Sequence, residues 1–148
     1  VTPILRAMGN PERIVYVGES GAGQLCKLCN QMVLAGTIGV VGEAFALARK
    51  AGVDPARVRE ALLGGFAQSR VLDVHGERML KGNYVPGFRT ELFAKDLRNV
   101  LTAVDEVATV APVTTAASNL VMTLVAQHRG ERDYSELGKL IFEMSGLE

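Results

Sequence analysis

One stretch constrains this chain more than any other: AGQLCKLCNQMVLAGTIGVVGEAFALARK, residues 22–50. It is apolar on nearly every side until Arg49, so the pattern predicts a helix of about 44 Å, buried on nearly every face. Gly52 ends it as a C-terminal cap. Gly36, Gly39 and Gly42 each weaken such a helix by up to about 1 kcal/mol relative to alanine. Their gain is the close approach of other helices. Leu28–Ala48 is also long enough to span a bilayer. It carries Asn30, Gln31 and Glu43, and its centre, AGTIGVVG, is rich in small residues, so a buried helix of a soluble protein is the expectation. A helix of this length needs neighbours on every side. One small domain supplies them poorly, so part of it should meet another domain or another subunit, and a homo-oligomer, such as a dimer, is expected.

The remainder reads as shorter helices. Ile4–Met8 forms one helical turn before the break at Gly9-Asn10-Pro11. Asp54 caps a helix with Pro55 at its first position, ending at Gly64-Gly65. Ser69 caps another that carries Val71, Leu72, His75 and Met79. Residues 82–89 form a loop around Pro86-Gly87. Thr90 caps a helix with Leu92, Leu97, Val100, Leu101, Val104 and Val107 near helical spacing. Pro112 separates it from a helix over residues 113–128. Asp133 with Glu136 three residues on resembles a capping box for the last helix, to Met144. Ile14–Val17 reads as a lone strand, and one strand cannot satisfy its own backbone groups. The expected organisation is therefore a remnant of a preceding sheet domain over residues 1–20 and an all-helical domain over residues 21–148.

Totals narrow the functional classes. The 148 residues carry 16 basic and 16 acidic side chains with no basic cluster, which argues against a nucleic-acid partner. Two histidines exclude a His-rich metal site, and two cysteines are too few for structural zinc. No metal is expected. The opening residues lack the pattern of a secretory signal, and a cytoplasmic protein is the expectation.

The turn before the long helix resembles a nucleotide loop and fails as one. Gly18, Gly21 and Gly23 give G-x-x-G-x-G rather than G-x-G-x-x-G, and no second strand follows the helix. As a P-loop it has Gln24-Leu25 where Lys and Ser or Thr belong. The glycines serve the sharp turn. Cys26 and Cys29 form C-x-x-C near a helix start, where thiols are activated. No sheet surrounds them, so two small packed residues is the better account.

Lys27 is harder to dismiss. It sits inside an otherwise apolar helix, with Asn30 and Gln31 three and four residues on and projecting from the same face. A buried ammonium is costly unless paired, and snorkelling to solvent is the bland alternative. The functional alternative is a lysine facing a cleft, where apolar walls and the positive helix end make it a ready proton donor. Asn30 offers both donor and acceptor to orient it or a substrate. Lys95-Asp96 is a second candidate, although Lys95 could merely pair with Glu91 one turn earlier. Ser69-Arg70, at a helix start, is a weak anion site.

The segments GAGQLCKLCNQ (21–31), EAFALARKAGVDP (43–55), GGFAQSRVLDVHGERM (64–79) and PGFRTELFAKDL (86–97), in this order, resemble the β-hydroxyacid dehydrogenases. That family includes 3-hydroxyisobutyrate dehydrogenase and tartronate semialdehyde reductase (2-hydroxy-3-oxopropionate reductase). The resemblance covers nearly the whole chain, and GGFAQSRVLDVHGERM is most similar to the reductase branch. It implies an all-α fold, that of the C-terminal domain of a 6-phosphogluconate-dehydrogenase-like enzyme, which pairs with a Rossmann domain across a cleft. It implies NAD or NADP as cofactor, bound mainly by that other domain, and a small hydroxy acid or its semialdehyde as substrate. Lys27 matches the catalytic lysine, which protonates the carbonyl oxygen as hydride arrives and acts as base in reverse. Asn30 matches the substrate-site asparagine. Gln31 replaces a second asparagine found in some members and shifts substrate preference. Lys95 matches the lysine that reaches the cofactor, and Phe88 lines the cleft near it. The chain lacks the dinucleotide fingerprint and resembles a C-terminal piece, expected to be inactive alone. The rival expectation is a non-catalytic helical oligomerisation module that buries the same apolar faces.

Overall fold

A computed structural model describes residues 2–147. Seven α-helices appear among the described residues: α1 (Thr2–Met8), α2 (Ala22–Lys50), α3 (Pro55–Leu63), α4 (Arg70–Lys81), α5 (Thr90–Glu106), α6 (Pro112–Ala126) and α7 (Glu136–Met144). The only other helical segment among the described residues is a 3-10 turn at Pro11–Arg13. α2 is the axis, and α3 to α7 all pack on it. Its inward stripe runs Gln31, Ala35, Ile38, Gly42 and Phe45, spaced three and four apart. The core they meet includes Leu72 and Met79 from α4, Phe93 and Leu97 from α5, Val121 and Leu124 from α6, and Leu137 from α7.

Gly42 makes the tightest crossing. A Cβ there would lie 2.9 Å from the Gly138 Cα and 3.1 Å from the Ile141 Cδ1. The missing Cβ of Gly42 lets α2 approach the α7 backbone, the gain expected of α2's glycines.

Capping follows the sequence in the middle of the chain. Asp54 accepts from the Ala56 N–H at 2.8 Å, and Ser69 accepts from the Leu72 N–H at 3.0 Å. Gly52 and Gly82 turn the chain out of α2 and α4 with φ of +72° and +63°. Two caps differ from expectation. Thr90 is the first residue of α5, not its cap, and its hydroxyl donates to the Arg132 carbonyl at 2.9 Å. Asp133 and Glu136 form no capping box. Asp133 accepts from the Ser135 N–H at 3.0 Å, while Glu136 pairs with Arg129 at 3.1 Å. Thr90 binds a partner 42 residues away, and Glu136 turns back to Arg129, seven residues earlier, instead of to its own helix end.

Two further expectations are corrected. Ile14–Val17 forms no strand. Nothing among the described residues offers it a ladder, and Val15 and Tyr16 are exposed. The other concerns α2, which is not buried on nearly every face. Residues 23–27 are exposed, as are Val33, Val40 and Leu47, at 67%, 56% and 72%. The five packed helices cover one side of α2 from Gln31 onward and leave its outer side and first turns bare. By length and composition α2 could cross a membrane, but half of its most apolar window is buried inside the protein.

Candidate functional site

The first turns of α2 leave the glycine turn at Gly21, whose φ of +94° an L side chain rarely adopts. Lys27 follows on the exposed part of the helix. No hydrogen bond or ion pair engages it among the described residues. Its ammonium stands on an uncovered surface and is not walled in by apolar groups, which departs from the expected cleft setting.

One turn later the helix enters the core, and the side chains diverge. Asn30 is exposed, as Lys27 is, but Gln31 is 2% exposed, so the three do not all share one face as expected. Asn30 and Gln31 are joined instead. The Asn30 Nδ2 donates to the Gln31 Oε1 at 2.8 Å. The Gln31 Nε2 donates to the Asp96 Oδ2 at 2.7 Å. The other carboxylate oxygen of Asp96 pairs with the Lys95 Nζ at 2.8 Å. A continuous chain, Asn30–Gln31–Asp96–Lys95, therefore ties the third turn of α2 to α5. The buried amide of Gln31 accepts from one neighbour and donates to the next, so its burial is compensated. Lys95 pairs with Asp96, not with Glu91, which faces Arg89 at 3.1 Å.

Asp96 entered the sequence reading only as part of the Lys95-Asp96 candidate, with no role of its own. Its signal was the Lys95-Asp96 dipeptide, but a carboxylate beside a lysine reads as a solvated pair until α2 is seen to deliver Gln31 to it. Phe88 stands apart from the relay. Its ring meets Phe93 and Tyr134 edge to face, with centroids 6.5 and 5.6 Å away. Cys26 and Cys29 are free and exposed rather than packed. Ser69 spends its hydroxyl on capping α4, and the Arg70 guanidinium pairs with Asp73 at 3.1 Å. Among the described residues no cluster of three or more His, Cys, Asp or Glu could hold a metal.

What the arrangement can do follows from its groups. A mobile ammonium can give or take a proton. A fixed carboxamide one turn away can orient an oxygen. A second ammonium, pinned by Asp96, can hold an anionic or carbonyl group.

Solved structures share this architecture. The chain superposes on the Mycobacterium tuberculosis 3-hydroxyisobutyrate dehydrogenase, solved with L-serine, with a TM-score of 0.80 and 29% identity over 93% of this chain and 48% of that one. The fold is thus one shared with part of a dehydrogenase. The family model for the NAD-binding domain of NADP-dependent 3-hydroxyisobutyrate dehydrogenase matches residues 21–141. The 2-hydroxy-3-oxopropionate reductase of Escherichia coli (strain K12) is 44% identical over 93% of this chain and 46% of its own length. A probable 3-hydroxyisobutyrate dehydrogenase-like protein of Arabidopsis thaliana, described as mitochondrial, is 34% identical over 87% of this chain and 38% of its own length. This chain belongs to the β-hydroxyacid dehydrogenase family. It spans about half the length of the relatives it matches.

Proposed function

We propose that this chain is the substrate-side, proton-transferring part of an NAD(P)-dependent enzyme that interconverts a small β-hydroxy acid and its semialdehyde. The tartronate semialdehyde reductase reaction is favoured by the 44% identity to the Escherichia coli reductase. The observation that supports the reading is the hydrogen-bonded chain from Asn30 through Gln31 and Asp96 to Lys95, which joins α2 to α5; Lys27 lies one turn before Asn30 on α2.

Bound NAD(P)H supplies hydride to the carbonyl carbon. Lys27 donates the proton that the carbonyl oxygen then needs, and in the oxidation direction takes it from the hydroxyl. Asn30, its amide oriented by Gln31, holds the substrate beside that ammonium. Lys95 fits the cofactor's polar groups, because Asp96 fixes its position while leaving the side chain 58% exposed. Phe88 adds an apolar wall on the cofactor side. In this reading a second domain supplies most of the remaining cofactor contacts.

Replacing Lys27 with alanine in the full-length enzyme tests the assignment. Turnover should fall by about 10²- to 10⁴-fold with the melting temperature unchanged; near-normal turnover would defeat it. The outward stripe of Val33, Val40 and Leu47 favours a second role for the same domain, in subunit association.

A further inference from the structure

Asp133 is the most heavily engaged carboxylate outside the relay. It lies in the turn before α7 and its side chain is 1% exposed. A buried carboxylate is costly unless it is paired and hydrogen-bonded. Here both oxygens are used, and for different segments. Oδ1 accepts from the Ser135 N–H at 3.0 Å and the Ser135 hydroxyl at 2.6 Å. Oδ2 accepts from the Gly87 N–H at 2.9 Å and the Phe88 N–H at 3.2 Å. The Arg78 guanidinium stands 3.3 Å from Oδ2 and also donates to the Val85 carbonyl.

The local turn into α7 needs Oδ1 alone. Serine or asparagine would serve it. The second oxygen works on a turn more than forty residues upstream, and an amide nitrogen in its place would meet two N–H donors. The same turn is gripped from its other side, where the Tyr134 N–H donates to the Phe88 carbonyl at 3.1 Å and the Tyr134 ring meets the Phe88 ring. Tyr134 is itself held through its hydroxyl, 2.9 Å from the His75 Nε2.

We infer that Asp133 is a positioning residue for the cofactor side of the cleft: its Oδ2 sets the Gly87–Phe88 backbone, and through it the Phe88 ring. This rests on the role proposed above for Phe88. Asp133 touches no reacting group; it acts through the aromatic ring it aims.

The test is a double-mutant cycle in the full-length enzyme, with NADH and NADPH as probes. Asp133→Asn should raise the KM for cofactor about ten-fold while kcat changes little, since one buried charge-assisted interaction is lost. Phe88→Leu should raise it similarly. The double variant should be no worse than the poorer single one, because both act through one ring. Additive effects, or an unchanged KM with only a lowered melting temperature, would reduce Asp133 to a cap of α7 and overturn the inference. Should Asp133→Asn fail to fold, Arg78→Gln decides. Arg78 is less buried and holds the same turn, so a rise of about three-fold is expected, and an unchanged KM overturns the inference. The outcome is separable from that of the proposed function. If Lys27→Ala abolishes turnover while Asp133 and Phe88 behave additively, only the positioning role falls.

Discussion

At the residue scale, buried polar groups in this domain are specified by distant partners. His75 illustrates the consequence. Burial pushes its imidazole below the usual value of 6.5, Asp133 opposes that shift, and Arg78 adds to it. A lowered folded-state value means that the unfolded chain takes up a proton before the folded one does. His75 therefore stabilises the fold above pH 6.5, and that contribution is lost as pH falls from 6.5 through the lower folded-state value. The Asp133 carboxyl faces opposing influences. Burial raises its pKa, but the hydrogen bonds from Ser135, Gly87 and Phe88 outweigh it and hold it below the ordinary 3.8. Its contribution is present above 3.8 and is lost only as pH falls below that value. Urea unfolding of this chain should thus show two separate acid steps, and His75→Gln should remove the first and leave the second. A single step in both proteins would refute the assignment. Lys27 needs no such compensation, because it is exposed and its cost on folding is small.

At the scale of elements, the crossing of α2 and α7 decides how well the core closes. The two glycines there are not equivalent. A Cβ on Gly42 would meet the backbone of Gly138 at 2.9 Å, whereas a Cβ on Gly138 would meet the flexible Met79 side chain, with the Sδ at 2.5 Å. Backbone cannot move without shifting a helix, but a thioether can change rotamer. Gly42→Ala should therefore cost about 1–3 kcal/mol through overpacking, less up to about 1 kcal/mol regained in helix propensity. Gly138→Ala should cost less. Thermal melting of the two variants ranks them, and the reverse order would count against this account. The elements themselves were largely legible. α2, α3 and α4 follow from apolar spacing, Asp54, Ser69 and the glycines at 52 and 82, because each of those signals acts within a few residues. The starts of α5 and α7 were misread because Thr90 and Glu136 bind Arg132 and Arg129 instead of their own helix ends.

At the scale of the whole molecule, the outer side of α2 is unfinished. Val33, Val40 and Leu47 recur every seven residues on it, and Val113 of α6, 68% exposed, stands beside Gly36 and Val40. Exposed apolar side chains gathered on one face mark interaction sites. Association through this face is expected, and sedimentation of this chain at micromolar concentration should show a species larger than the monomer. Val40→Glu should shift it to monomer without unfolding it. A wild-type monomer would remove the expectation of an oligomer.

The sequence by itself determined the helical class, the reach of α2 and the identity of Lys27, Asn30, Gln31 and Lys95 as the residues to watch. Those signals are local or motif-borne: periodicity, capping and the order of a few short segments. Only the tertiary structure decided which of them meet. It sent Gln31 inward to Asp96, left Lys27 exposed, dissolved the expected strand at 14–17, and gave Phe88 to the Asp133 turn. Such choices depend on charges and amides brought together from tens of residues apart, and spacing along one chain carries no record of them.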